Sequence, residues 1–244
     1  MSSFFSMDSP AMRFLSRVCD LMILNLMTIV CCIPIVTAGA SLTALYTITL
    51  KMVRGEEAYI FKGFLKAFKE NFKISTITWL IMLAIGIFFY IDFQAAEVLP
   101  GNMASFFKVL IGAVTVFYVM ILTYIFPYIA RFENNLKNTF KNALLISILN
   151  LPYTLLILLV PAALVIITFL STATLVYGSL LWILLGFACV AYVQSRMFRK
   201  VFAKYEPEAA APENPDDYIV PEELPETASD NKKEIKKPFW TLLQ

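Results

Sequence analysis

The chain has 244 residues, of which 59% are hydrophobic and 16% are charged, with a formal net charge of +2. A soluble domain is on average about 45–50% apolar and about 25% charged, so this composition excludes an ordinary soluble domain. Histidine is absent, which excludes Ser-His and Cys-His catalysis and imidazole metal sites. We therefore expect no enzyme activity, no metal and no cofactor.

Six apolar segments of membrane-spanning length are predicted in the first 204 residues. The stretch DSPAMRFLSRV is typical of a helix start, with Ser9 as the expected N-cap and Pro10 as the first helical residue. A hydrocarbon core of about 30 Å needs about 20 apolar residues. The sequence therefore predicts an all-α, polytopic transmembrane helical bundle for residues 1–204, with spans at about 14–35, 38–54, 74–92, 105–130, 143–170 and 173–197.

A corner is predicted between the first two spans, within NLMTIVCCIPIVTAGASLTALY. Proline lacks the N–H that a helix interior needs, and glycine costs about 1 kcal/mol there relative to alanine. We place a turn at Pro34–Ala40, which makes residues 14–54 a helical hairpin. Residues 38–54 are short for a span, so a re-entrant segment is the alternative.

Lysine and arginine predict the orientation of the bundle. With six crossings, Arg13 and Arg17, the basic loop at 51–73, Arg131 and the segment after 196 all fall on one side. The other side has Lys108 at the edge of span four. Both termini are therefore predicted to be cytoplasmic.

The segment EEAYIFKGFLKAFKENFK carries apolar residues on one helical face. We predict one or two amphipathic interfacial helices, one of them over 57–72 with its lysines toward anionic lipid. The stretch NNLKNTFKNALLIS resembles part of this segment, either as an internal repeat or through shared amphipathic constraints. Within 57–72, Glu57, Ala58 and Gly63 also resemble the coupling loop of ABC importer permeases. The candidate residues for docking to a partner or to the membrane surface are Phe61, Phe64, Lys66, Phe68 and Phe72.

The last apolar block is too long for one span, so we place a turn near residues 171–179 and expect kinks at Asn150, Pro152 and Pro161. Residues 205–244 are acidic and rich in proline. They cannot bury enough apolar surface to offset the entropy of ordering, so we predict a disordered cytoplasmic tail. Its end, KKEIKKPFWTLLQ, is either a short docking motif or a solvated terminus.

Polar residues inside a membrane are the default candidates for function, because lipid offers them no partners. The candidates for substrate binding are Asn25, Thr37, Gly39, Thr43 and Tyr46. The alternative is that they pack helices together, with hydroxyls bonded to the preceding turn. Asp20 lies three residues after Arg17, so we expect a local ion pair there instead of a proton relay.

The stretches DSPAMRFLSRVCDLMILNL, IPIVTAGASLTALY, FLKAFKENFK and RFENNLKNTFKNALLISILNLP together resemble the YesL-like family of bacterial integral membrane proteins, a domain of unknown function. The resemblance covers about residues 4–200. It implies a bacterial plasma membrane and the company of carbohydrate ABC transporters and their regulators. It implies no catalytic or binding residues.

Three functions remain open from the sequence. The first is an accessory or permease-like component of carbohydrate uptake, with ABC transporter subunits or a cytoplasmic regulator as partners and no role for nucleic acid. The second is a membrane scaffold or signalling adaptor that acts through the tail. The third is a small independent channel or carrier with an aqueous path along Asn25, Thr37 and Tyr46.

Overall fold

The computed structural model describes residues 10–56, 59–98, 100 and 102–205, and every regular element in these ranges is helical. The chain divides into two units, Met1–Arg199 and Lys200–Gln244, and the second is described only as far as residue 205. The helices are α1 (Pro10–Cys32), α2 (Ala38–Arg54), α3 (Ile60–Glu97), α4 (Asn102–Ile129), α5 (Leu136–Leu149), α6 (Leu151–Phe169), α7 (Thr172–Leu181) and α8 (Phe187–Phe202).

Six helical segments among the described residues are long and apolar enough to cross a membrane. They are Ala11–Cys32, Ile35–Arg54, Ile60–Glu97, Met103–Ile129, Leu151–Phe169 and Thr172–Phe202. The all-α bundle with about six spans is thus confirmed. α1 begins at Pro10 as expected, whereas Ser9, its expected N-cap, lies outside the described residues, as do Glu57, Ala58 and the tail from 206 onward.

The chain reverses between α1 and α2 through Ile33, Pro34 and a 3₁₀ turn, Ile35–Thr37. This corner is shorter than the predicted turn, because Gly39 and Ala40 already lie inside α2. Side chains bond to the backbone at this corner: Thr37 Oγ1 donates to Cys31 O at the end of α1 (2.7 Å), and Trp79 Nε1 of α3 donates to Ile35 O (2.7 Å). A non-helical corner is therefore tolerated here, since its backbone is bonded within the protein.

Residues 60–97 form one helix, where the sequence predicted an interfacial helix at 57–72 followed by a separate span at 74–92. Neither proline nor glycine interrupts the chain between Phe64 and Ile85, so nothing breaks the backbone hydrogen bonding there. At 1.5 Å per residue, α3 is about 57 Å long. It is therefore longer than a hydrocarbon core of about 30 Å, and its first turns lie beside α2, where Phe64 and Ala67 pack with Leu45 and Ile48.

The segment predicted as one kinked span at 143–170 is two helices, with a break at Asn150 (φ −121°, ψ 43°). Pro152 cannot donate the backbone bond that would continue α5 into α6. Thr154 Oγ1 donates to Ser147 O across the break (2.8 Å), and Asn150 Nδ2 donates to Ile146 O (3.0 Å), which also accepts from the backbone N–H of Asn150 (3.1 Å). The predicted kink at Asn150 is therefore a full interruption.

The last span contains a π-helix, Trp182–Gly186, between α7 and α8. The hydrophobic core around α2 combines one face each of α1, α2, α3 and α8. Its buried members are Leu21, Leu24, Ala44, Leu45, Ile48, Phe64, Ala67, Ala188 and Ala191. α2 is thus enclosed by protein, although it is the shortest and least apolar of the first three spans.

Candidate functional site

A group of polar side chains, all buried except the partly buried Tyr46, surrounds α2 and joins it to α1, α3 and α8. We call this group the polar seam. Its members are Asn25, Ser41, Thr43, Tyr46, Thr49, Ser75, Gln194 and Ser195. Because these groups are shielded from water, each needs a hydrogen-bond partner within the protein.

Asn25 is fully buried and bonds to the backbone of the π-helix. Its Nδ2 donates to Trp182 O (3.1 Å) and Ile183 O (2.7 Å), and its Oδ1 accepts from the N–H of Ala188 (2.9 Å). A π-turn leaves backbone groups without their usual α-helical partners. Asn25 supplies three such partners, so it connects α1 to the last span.

Tyr46 begins a chain of hydrogen bonds that reaches α6. Its hydroxyl donates to Gln194 Oε1 (2.6 Å), and Gln194 Nε2 donates to Ile157 O (2.9 Å). The ring of Phe198 lies edge-on to Tyr46, with centroids 5.9 Å apart. Tyr46 and Gln194 therefore bond to each other across helices α2 and α8.

Two pairs of hydroxyls bridge α2 to its neighbours. Thr43 Oγ1 lies 2.8 Å from Ser75 Oγ of α3, and Thr49 Oγ1 lies 2.8 Å from Ser195 Oγ of α8. Ser41 Oγ also donates to Thr28 O of α1 (2.9 Å). Helices α1, α3 and α8 are thus each tied to α2 by at least one buried polar contact.

Gly39 permits a close approach between α2 and α3. A Cβ added to Gly39 would lie 2.5 Å from Trp79 Cβ and 2.6 Å from Ser75 O. The second contact is to backbone, which cannot move aside without shifting α3. Gly39 is therefore a helix-packing residue here, as small residues commonly are in membrane proteins.

The five substrate-binding candidates therefore face different helices and do not converge on one site. Asn25 faces the π-helix, Thr37 caps the end of α1, Gly39 and Thr43 face α3, and Tyr46 faces α8. Sequence reasoning missed Ser75 and Gln194, the partners of Thr43 and Tyr46, and also Ser195, the partner of Thr49. Gln194 and Ser195 lie in the predicted sixth span, so the same search for intramembrane polar residues could have found them.

Two clefts lie elsewhere in the bundle. One, of about 510 Å³, lies between α6 and the last span and includes Thr168, Tyr177 and Trp182. The other, of about 520 Å³, lies mainly between α3 and α4 and includes Phe89 and Tyr118. None of the five substrate-binding candidates lines either cleft.

Among the described residues, no group of three or more Cys, Asp or Glu side chains is placed to hold a metal ion. The described cysteines are free thiols in apolar surroundings, at Cys19, Cys31, Cys32 and Cys189. The seam itself consists of hydroxyls and amides that bond to one another or to backbone. This arrangement can hold helices in register.

The docking candidates do not share one exposed face. Phe64 is fully buried in the core and Phe68 packs against it, whereas Phe61 (61% exposed), Lys66 and Phe72 face outward. The aromatic stripe predicted to face the headgroups is thus partly covered by the protein. Periodicity identifies an apolar face but does not indicate whether protein or lipid covers it.

These features define a multi-pass α-helical membrane protein whose outward-facing apolar side chains contact the lipid bilayer. Residues 21–93 match the family model described as "Protein of unknown function, DUF624". This match begins within α1 and ends near the end of α3, so it contains the corner, all of α2 and four members of the seam on α2. Neither a curated protein nor a solved structure matches the chain.

Proposed function

We propose that this protein is a non-enzymatic accessory or permease-like component of carbohydrate uptake in a bacterial plasma membrane, with both termini in the cytoplasm. The association with uptake is supported by the resemblance of its sequence to the YesL-like family. The cytoplasmic orientation is supported by the distribution of lysine and arginine.

The observation that carries the proposal is that the first turns of α3 have a fixed position in the bundle. They continue the membrane span without a break, and Phe64 and Ala67 hold them against the core. Phe64 and Phe68 stack with ring centroids 6.3 Å apart, which further ties the segment together. The outer side presents Phe61 and Lys66 from a fixed backbone, so a partner meets a preorganised surface at low entropic cost.

The polar seam supports an accessory role over an independent channel. A conducting path needs polar groups that exchange partners with a passing solute. In the described part of the bundle, the seam's side chains are bonded across helices or to backbone at 2.6–3.1 Å. Such groups stabilise a fixed bundle.

Site-specific photo-crosslinking in native membranes tests the proposal. A photoreactive residue is placed at Phe61 or at Lys66, and captured proteins are identified by mass spectrometry. Phe106 is the matched control, because it is an equally exposed phenylalanine (67%) near the start of another long helix.

We expect positions 61 and 66 to capture an ATPase or membrane subunit of a carbohydrate transporter, and position 106 to capture none. Recovery of no transporter subunit from either α3 position, in cells that take up carbohydrate, contradicts the proposal. Equal recovery from position 106 also contradicts it, since capture would then reflect exposure alone.

A further inference from the structure

Two arginines from different helices meet at one phenol oxygen at the end of the bundle that contains the start of α1. Arg17 Nη1 of α1 donates to Tyr192 Oη of α8 (3.3 Å), and Arg196 Nη2 of α8 donates to the same oxygen (3.5 Å). The Arg196 guanidinium also lies over the Tyr192 ring, 5.1 Å from its centroid.

No carboxylate neutralises this pair within the described residues. The ion pairs there join Arg54 to Glu56, Lys66 to Glu70, and Lys108 to Glu97. The ion pair that we expected between Arg17 and Asp20 does not form, because Arg17 is directed to Tyr192 instead. Two guanidinium groups that share one neutral acceptor repel each other, and an anion between them would relieve that repulsion.

The surroundings fit an anion at the membrane boundary. Tyr192 packs against the core cluster, so its hydroxyl is held in place while both guanidinium groups stay exposed. Deeper in the same two helices, the outward side chains are apolar, among them Ile23 and Leu26 on α1 and Phe187 and Val193 on α8. Charges above an apolar, lipid-facing surface match the layering of a phospholipid.

We infer that Arg17, Tyr192 and Arg196 form a binding site for one anionic phosphate group. Guanidinium groups bind phosphate oxygens through paired, charge-assisted hydrogen bonds, and the phenol hydroxyl can donate a further one. An anionic lipid headgroup and free phosphate share this chemistry. Occupancy would join α1 to α8 about two turns closer to the start of α1 than the Asn25 contact.

The test measures lipid binding to the full chain in detergent by native mass spectrometry, with phosphatidylglycerol and phosphatidylcholine as probes. The site variant is Arg17→Gln/Arg196→Gln. The matched control is Lys62→Gln/Lys69→Gln. It removes two exposed positive charges from α3, and neither lysine belongs to an ion pair described above. Inorganic phosphate is added as a competitor in a separate arm.

We expect phosphatidylglycerol to bind more tightly than phosphatidylcholine, and the site variant to lose at least about tenfold in affinity for it. The control should change by less than about threefold. Displacement by inorganic phosphate supports the same site with free phosphate as its source, and resistance to displacement supports the lipid headgroup.

Equal losses in both double variants would show that net charge alone attracts the lipid, and the inference would then be wrong. Equal binding of the two lipids would overturn it as well. If the double variant does not purify as a folded protein, Arg196→Gln serves in its place, because it keeps the contact between Arg17 and Tyr192. A loss of less than about threefold in that variant also overturns the inference.

Discussion

Asn25 bonds with both ends of its amide to the backbone of a helix more than 150 positions away in the chain. The sequence alone left two roles for this residue, a ligand contact and a helix contact. The structure shows the helix contact. The partner could not be foreseen, because a π-turn has no clear signature in an apolar run such as WILLG.

Asn25→Leu should destabilise the bundle by about 2 kcal/mol, since it leaves two carbonyls and the N–H of Ala188 without these buried partners. Thr28→Val is the matched control, because the Thr28 hydroxyl bonds only to the preceding turn at Leu24 O. Reversible unfolding in bicelles measures both, and equal stabilities would contradict the assigned role.

Tyr46→Phe should cost about 1–2 kcal/mol, because Gln194 Oε1 is buried and loses its donor. Tyr177→Phe is the control, since Tyr177 is 72% exposed and lies outside the seam. The same unfolding assay compares the two variants. If Tyr177→Phe were the more damaging change, the Tyr46–Gln194 bond would not contribute to stability.

At the scale of the elements, small residues and side-chain hydroxyls decide how closely α2 packs. Sequence reasoning correctly placed a corner between the first two spans but assigned Gly39 to the turn. Both roles suit glycine, since a turn uses its conformational freedom and a helix contact uses its lack of a side chain. Only the position of Ser75 and Trp79 distinguishes them.

Gly39→Ala should destabilise the protein by about 1–3 kcal/mol, because the new methyl group meets the backbone of α3 at 2.6 Å. Gly112→Ala is the matched control, since a Cβ there meets nothing within 4 Å and alanine favours the helix by about 1 kcal/mol. Thermal unfolding in detergent should rank Gly39→Ala below the parent and Gly112→Ala at or above it. The reverse order would contradict the close α2–α3 packing.

For the whole molecule, membrane topology determines on which side of the bilayer the start of α3 can meet a partner. Under the proposed orientation, residues 62 and 210 lie in the cytoplasm, and residues 100 and 171 lie on the opposite side. Topology reporters fused at these four positions should therefore give a cytoplasmic signal at 62 and 210 and the opposite signal at 100 and 171. Reporters at 62 and 210 on opposite faces would contradict the orientation and the docking surface with it.

Deleting residues 206–244 separates the proposed function from an adaptor that works through its tail. We expect the shortened protein to fold and to keep the crosslinks from Phe61, because that surface belongs to α3. Size-exclusion chromatography provides the control for folding. Loss of the crosslinks or of the cellular phenotype in a folded variant would favour the adaptor.

Hydropathy along the chain by itself determined the all-α class and the approximate spans, because crossing a bilayer depends on the length and polarity of a local segment. It also marked Asn25 and Tyr46 as residues that need partners, since lipid offers none. Tertiary structure alone decided which helix meets each of them, that Phe64 faces protein, and that the segment predicted as one kinked span at 143–170 is two helices. Those outcomes depend on groups that are distant in sequence, which local periodicity does not encode.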